Sequence, residues 1–340
     1  MSSIPTVPKR ARTLSDIAKL AGVHTATVSR ALADNPLVNP ETRARIRALA
    51  AEHAFRPNQM ASRLRTQKTN VVAVVVPLGH ERRQHLSDPF FMTILGHLAD
   101  QLTEGGFDIM LSRVIPDAED WLERIVDSGM LDGVLLIGQS DQFDAIERVA
   151  QRYRPLVVWG SHMEGQTHCA VGVDNRRGGY LAGQRLIERG CRKLAFFGEI
   201  RTLELAQRYE GLQRASQDAG IAAPVQYATH LASDVMTDEI AIHVDGMAGK
   251  IDGIVAASDV IAMHTLSVLS ARGIAVPTGL PVIGFDDLPL ANLVVPRLTT
   301  IRQDVHRGAS AMVRALFDRM AGTDAPSVVM APSLITRDSA

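Results

Sequence analysis

The 340-residue sequence predicts an α/β protein, with a three-helix helix-turn-helix head and then a body of two similar strand–helix lobes. Three observations carry the prediction. Charge is split: 36 Lys+Arg against 37 Asp+Glu give a net of −1, yet residues 1–70 hold 12 basic and 4 acidic side chains, a net of +8 that leaves −9 on the remainder. A basic head on an acidic body points to a polyanionic partner for the head. Residues 13–56 repeat apolar side chains at helical spacing in three short blocks. From Val71 onward, apolar runs alternate with helical stretches, as in a chain of βα units.

In the head, Leu14, Ile17, Ala18 and Ala21 recur at helical spacing, and Gly22 stops the pattern. A second helix is expected over Thr25–Leu32, with Val28 and Leu32 inward. Asn39-Pro40-Glu41 reads as a helix start, with a capping Asn followed by Pro in the first turn. Counting from Leu14, small Ala18 stands fifth, Gly22 ninth and β-branched Val28 fifteenth. The small residue lets two helices approach, the glycine permits a tight turn at positive φ, and the valine packs the second helix on the first. That pattern predicts a helix-turn-helix whose second helix enters the major groove of DNA.

Residues 57–70 form a polar, basic connector with one large apolar side chain, Leu64. Beyond it, Val71–Val76 is continuously apolar, as a strand covered on both faces should be. A helix is expected over Phe90–Thr103, and strands over Asp108–Arg113, 131–138 and 155–160. Ile251-Asp252-Gly253-Ile254-Val255 repeats the 131–138 pattern, and Pro281-Val282-Ile283-Gly284-Phe285-Asp286 echoes 155–160. Two such halves predict two lobes with a cleft between them.

Other classes are disfavoured. Two cysteines, Cys169 and Cys191, are too few for a disulfide framework or a cysteine zinc site. His162, His168 and Cys169 cluster without a recognised metal spacing. No nucleophile elbow, phosphate-loop lysine or dinucleotide glycine fingerprint occurs, so neither an enzyme nor a cofactor is expected. No apolar run approaches a bilayer span, and the first 30 residues lack a signal-peptide pattern, so the expectation is a cytoplasmic protein without a membrane partner.

The run Thr13-Leu14-Ser15-Asp16-Ile17-Ala18-Lys19-Leu20-Ala21-Gly22-Val23, with Ala26-Thr27-Val28-Ser29-Arg30-Ala31-Leu32, Val38-Asn39-Pro40-Glu41-Thr42-Arg43 and Phe55-Arg56-Pro57-Asn58, resembles the lactose/galactose repressor (LacI–GalR) family. Asp174-Asn175 with Gly178-Gly179, Leu298-Thr299-Thr300-Ile301 and the segment Ser333–Ser339 extend the resemblance over the body. It implies a transcriptional regulator, with a repressor the leading expectation, that binds operator DNA as a homodimer under control of a small ligand. The ligand would be a sugar, a sugar derivative or a related metabolite. The alternative is a two-lobed solute-binding or sugar-handling protein without operator specificity. No heptad tail follows the C-terminal signature, which favours the dimer over a tetramer.

The resemblance implies a periplasmic-binding-protein-like body of two Rossmann-like lobes. The head would span 1–56, the hinge helix and linker 57–70, and the core 71–340. Lobe 1 would hold about 71–172 and 302–325, and lobe 2 about 173–301 and 326–340. Thr25 and Ala26 would discriminate operators, with Thr27, Ser29 and Arg30 near bases or phosphates. His24 stands where the family usually has a capping serine, so a phosphate contact is the alternative role. Asn58, Ala61 and Leu64 fall on the hinge positions that meet DNA. In the cleft, Phe90 or Phe91 would stack on a ligand or else serve the core. Arg208 and Asp286 match the family's ligand-binding arginine and acid, and Ser258 is a weaker candidate. His230-Leu231-Ala232 lies where several sugar-responsive members carry an aromatic residue.

The resemblance gives Leu64 the role of a minor-groove wedge, the alternative being a linker anchor on the body. As a wedge, Leu64→Ala should weaken operator binding and reduce the DNA bend in a circular-permutation gel assay. Unchanged affinity and bend angle would remove the wedge.

Overall fold

The computed structural model describes residues 13–55, 68–79, 82–231 and 235–340, so the hinge positions Asn58, Ala61 and Leu64 lie outside the described residues. The chain divides into two compact units, one ending at Thr69 and one running from Asn70 to Ala340.

The first unit holds α1 (Leu14–Ala21), α2 (Thr25–Leu32) and α3 (Pro40–Glu52). A capping box starts α1: the Asp16 amide donates to Thr13 Oγ1 at 3.2 Å, and the Thr13 amide donates to Asp16 Oδ2 at 3.0 Å. Gly22 ends the helix in the left-handed region (φ 62°), where a side chain would be strained. Asn39 caps α3 by accepting from the Glu41 amide at 2.9 Å, with Pro40 at the first turn. Ile17, Val28 and Ile46 are fully buried where the three helices meet, and Ala18 and Ala31 fill the close approaches.

The second unit contains two sheets. The first is built from β1 (Val71–Pro77), β2 (Asp108–Val114), β3 (Gly133–Ile137), β4 (Leu156–Trp159) and β5 (Cys169–Val173). Between these strands run α4 (Pro89–Glu104), α5 (Trp121–Val126) and α6 (Phe143–Ala150). The second lobe follows with α7 (Asn175–Glu188), β6 (Leu194–Phe197), α8 (Leu203–Asp218), β7 (Val225–Tyr227), α9 (Met236–Gly246), β8 (Gly253–Ala256), α10 (Asp259–Ala271), β9 (Val282–Asp286) and β10 (Thr299–Arg302). The chain ends with α11 (Val305–Met320), which packs on α4 of the first lobe, then β11 (Val328–Met330) and β12 (Ser333–Ile335).

The sheet orders are β11-β5-β4-β3-β1-β2 and β12-β10-β9-β8-β6-β7. They correspond strand for strand, and the sequence echo falls on matching pairs, β3 with β8 and β4 with β9. All described pairings are parallel except β12 with β10. The valine run of β1 is explained by its two covered faces. Val72, Val74 and Val76 enter one core layer, while Ala73 and Val75 enter the other.

The chain crosses between lobes after β5, after β10 and between Met330 and Ser333. The last crossing corrects the expected position near 325. Val328–Met330 pairs in parallel with Val171–Val173 and so belongs to the first lobe, and only Ser333–Ile335 joins the second. Ala331-Pro332 separates the two short strands, and proline supplies no ladder donor there.

Close helix packing fixes the second lobe. Helices α7 and α8 meet backbone to backbone: a Cβ on Gly179 would lie 1.9 Å from the Arg208 carbonyl oxygen, and one on Gly211 would lie 2.0 Å from that of Arg176. Gly179→Ala should therefore push the helices apart and destabilise the body by about 1–3 kcal/mol. Thermal unfolding reads this directly, and an unchanged Tm would contradict the close contact.

Candidate functional site

The head presents the start of α2. His24, Thr25, Ala26 and Arg30 are exposed, Thr27 and Ser29 are half-buried, and Val28 and Ala31 hold the opposite face in the core. His24 has the extended backbone of an N-cap (φ −72°, ψ 149°), but its side chain makes no capping hydrogen bond. The amides at this helix end are thus satisfied less well than a serine would satisfy them, and the helix dipole favours an anion nearby. No charge from the first turn of α2 opposes that preference.

In the body, the ligand candidates converge. Phe90, Phe91, Arg208, Ser258 and Asp286 all line one cavity of about 110 Å³ between the two lobes. The cavity sits where strand order reverses in each sheet, beyond the C-terminal ends of β1, β3, β6 and β8. Leu231 also lines it and supplies an aliphatic wall. A second cavity of about 390 Å³ adjoins it, sharing Asp88 and Leu231.

Arg208 is buried, not a surface helix residue. Its Nε donates to Asn175 Oδ1 at 2.8 Å, and one terminal nitrogen donates to the Ala257 carbonyl at 2.5 Å. Its guanidinium carbon lies 3.8 Å from the Phe285 ring centroid, a cation–π contact. Asn175 and Gln207 both bind the Ser161 hydroxyl, which anchors the arginine to the first crossover. The glycine contact of α7 with α8 therefore sets the depth at which Arg208 enters the cleft.

Asp286 ends β9 with φ 131°, and Asp287 follows at φ 59°. Non-glycine residues in this region store about 1–3 kcal/mol each and persist only when their surroundings hold them. Arg302 and Arg337 provide that hold by gripping Asp287 at 2.7 and 2.5 Å. The Arg337 amide is tied to Thr299 Oγ1, and Ser339 binds the Val282 carbonyl at 2.6 Å. The C-terminal signature is thus a staple that presents Asp286 to the cavity. Ser258 lines the cleft too, but its hydroxyl already caps α10 by accepting from the Ile261 amide.

Sequence reasoning did not single out Asp88, Gln84, Trp159, Glu204 or Gln303 as site residues, yet all five line the cavity. Asp88 caps α4 through the Phe90 amide and accepts from Gln84 Nε2 at 3.1 Å. Gln303 Nε2 donates to Asp286 Oδ1 at 2.5 Å. The Phe90 and Trp159 rings lie 6.1 Å apart. Trp159 follows the 155–158 apolar run at a strand end, a signal from which it was available in the sequence. Among the described residues, no group of three His, Cys, Asp or Glu side chains could hold a metal, and His168 pairs with Glu147.

Electrostatics mark the cleft as crowded with acids. Burial pushes the Asp286 carboxyl up to about 8; Arg208, 4.0 Å away, opposes the rise and Asp259 adds to it. Burial also pushes Asp259 up to about 6 and raises Asp88 and Glu204. For Arg208, burial works against the charge, and Asp286, Glu204 and Asp259 work for it.

Comparison with known proteins adds two family matches. Residues 13–58 match the bacterial regulatory proteins of the lacI family, and residues 184–340 match a periplasmic binding protein-like domain. The HTH-type transcriptional regulator CelR of Thermobifida fusca is 31% identical over 344 residues, covering 97% of this chain and 99% of the relative. The HTH-type transcriptional regulator RegA of Clostridium saccharobutylicum is 29% identical, covering 97% and 99%. A solved CelR–cellobiose complex superposes with a TM-score of 0.67 at 28% identity, covering 97% of this chain and all of that one. The Lac repressor dimer bound to operator and the anti-inducer ONPF superposes at 0.83 with 20% identity, covering 97% and 99%, a likeness of fold.

The Asp286 proton gives a pH signature. Its folded-state pKa lies above the ordinary 3.8, so its contribution to stability is full below pH about 4 and is lost as pH rises through about 8. Asp259, Asp88 and Glu204 act with the same sign. The Tm of the protein should fall between pH 6 and 8, and less steeply in Asp286→Asn. Parallel pH curves for the two proteins would contradict an Asp286 that is protonated near neutrality.

Proposed function

Because this chain belongs to the LacI family of bacterial regulatory proteins, we propose that it is a transcriptional repressor that binds an operator as a homodimer, with its operator affinity controlled by a small ligand in the cleft. One observation carries the reading: a single chain joins a basic helix-turn-helix, with the start of α2 exposed, to an interlobe cavity lined by Arg208 and Asp286. Thr25 and Ala26 are small, so they suit methyl and single hydroxyl contacts with bases, and Arg30 suits a phosphate or a guanine edge. Phe90, Phe91, Arg208, Ser258 and Asp286 would be the ligand-contacting set.

The control is a difference of affinities. A ligand bound between the lobes favours one lobe arrangement, and only its preference between arrangements is transmitted to the DNA-binding head. Two crossovers meet the site: the first anchors Arg208 through Asn175, and the second brings Gln303 onto Asp286. Relatives support a carbohydrate ligand, since one solved relative holds cellobiose and another, from Enterococcus faecium, holds ribose. The site of action would be the bacterial cytoplasm; no helix among the described residues is long and apolar enough to cross a membrane.

Two heads bring about +16 to the DNA, twice the +8 of residues 1–70. Specific binding to DNA upstream of the regulated genes, measured by fluorescence anisotropy, should weaken by at least about a hundredfold between 50 and 200 mM salt. A carbohydrate that raises the Tm of the protein should also shift that affinity. Absence of specific, salt-sensitive binding would sink the proposal.

A further inference from the structure

If the cleft is the effector site, as proposed above, its side chains restrict what can enter. Three carboxylates line it, those of Asp88, Glu204 and Asp286, and Asp259 stands behind Asp286 with its amide 3.5 Å from Asp286 Oδ2. Among the described lining residues Arg208 is the one cation; its Nε and one terminal nitrogen are given to Asn175 and the Ala257 carbonyl, and its plane lies over the Phe285 ring. With Asp286 protonated near neutrality, a ligand carboxylate or phosphate would therefore meet the Asp88 and Glu204 carboxyls against the single charge of Arg208. In a buried site that repulsion is weakly screened.

An independent observation points the same way. Gln84 is 3% exposed and Thr202 is 5% exposed; both line the cavity, and among the described residues neither Gln84 Oε1 nor Thr202 Oγ1 has a hydrogen-bond partner. Gln84 Nε2 is already given to Asp88, so what Gln84 offers the cavity is an acceptor. Buried polar atoms without partners are costly, and a donor arriving with the ligand relieves the cost. Glu204 accepts from the Ser161 amide at 3.4 Å. The rings of Phe90 and Trp159 complete the wall, where they suit the C–H face of a sugar ring or an ammonium group. Outside the mouth, Arg82, Arg83 and Arg201 line a separate cavity of about 360 Å³, but Arg201 is held by Glu199 at 3.4 Å and Glu239 faces the same space.

We propose that the effector enters this cleft presenting hydrogen-bond donors, hydroxyls or an ammonium group, and carries no carboxylate or phosphate, with Glu204 and Asp88 as the residues that exclude anions. Gln84 Oε1 and Thr202 Oγ1 accept from the ligand, and Arg208 and Asp286 hold its position.

Isothermal titration with a carbohydrate panel tests the assignment. The panel contains pentoses, hexoses and disaccharides, each beside its amino, uronate and phosphate counterparts. The full-length protein should bind a neutral or amino member, with the uronate and phosphate counterparts at least about tenfold weaker. The neutral–amino comparison distinguishes hydroxyls from ammonium as the donors. Glu204→Gln and Asp88→Asn should each narrow the anion gap, with circular dichroism checking the fold. A uronate or phosphate that binds the wild type as tightly as its parent would overturn the proposal, and would point to the arginines at the mouth. A gap unchanged in both variants would overturn the role of Glu204 and Asp88. Arg208→Gln separates this claim from the cleft reading: undiminished binding of the neutral parent there sinks the cleft itself. Binding by no member of the panel would sink both.

Discussion

The buried guanidinium of Arg208, set among several carboxyl groups, is the constraint on which the cleft depends. A charge taken out of water is expensive unless it is paired and hydrogen-bonded. Arg208 meets the requirement with an amide oxygen, a backbone carbonyl, an aromatic face and the nearby Asp286. Each partner comes from a different part of the chain: Asn175 from the first crossover, Ala257 from the end of β8 and Asp286 from the end of β9. Their convergence needs the near-contact of α7 with α8, which only glycine at positions 179 and 211 permits. Burial raises the acids that surround Arg208, and it pushes Asp286 up to about 8, so that this carboxyl holds its proton near neutrality. A site of this kind responds to the charge and donor pattern of what enters it.

The same arrangement connects the cleft to the crossovers. Ser161 receives a hydrogen bond from Asn175 and gives one to Gln207, and its carbonyl accepts from Gln139 at 2.6 Å. Gln303, just past β10, donates to Asp286. Two of the residues that hold ligand-facing groups, Asn175 on Arg208 and Gln303 on Asp286, thus lie where the chain passes between lobes. Displacement of one lobe against the other alters both sets of contacts together, which gives ligand occupancy a physical route to lobe orientation.

Much of the fold was legible in the sequence because its signals are local. Gly22 at the ninth position of the head motif, the valine run of β1 and the paired Asp-Gly strand starts at 132–133 and 252–253 each depend on a few neighbouring residues. The cleft was legible where its residues follow strands, as Asp286 and Ser258 do. Glu204 and Gln84 were not, since an acid in the first turn of a helix and a glutamine in a polar loop look solvated until the opposite lobe covers them. The third crossover was misplaced for a related reason. Val328–Met330 and Ser333–Ile335 are three-residue strands two residues apart, and which sheet each joins is decided by partners more than 150 and about 35 residues away.

The central claim is that operator and ligand act on one lobe arrangement through one coupling free energy. Ligand affinity of the full-length dimer should therefore be measured by titration calorimetry with and without saturating operator duplex, and operator affinity with and without saturating ligand. The two ratios must agree, because coupling between binding sites is reciprocal. Equal ratios that differ from one are the predicted result. A ligand affinity that the operator leaves unchanged would contradict the account, however tightly each binds on its own.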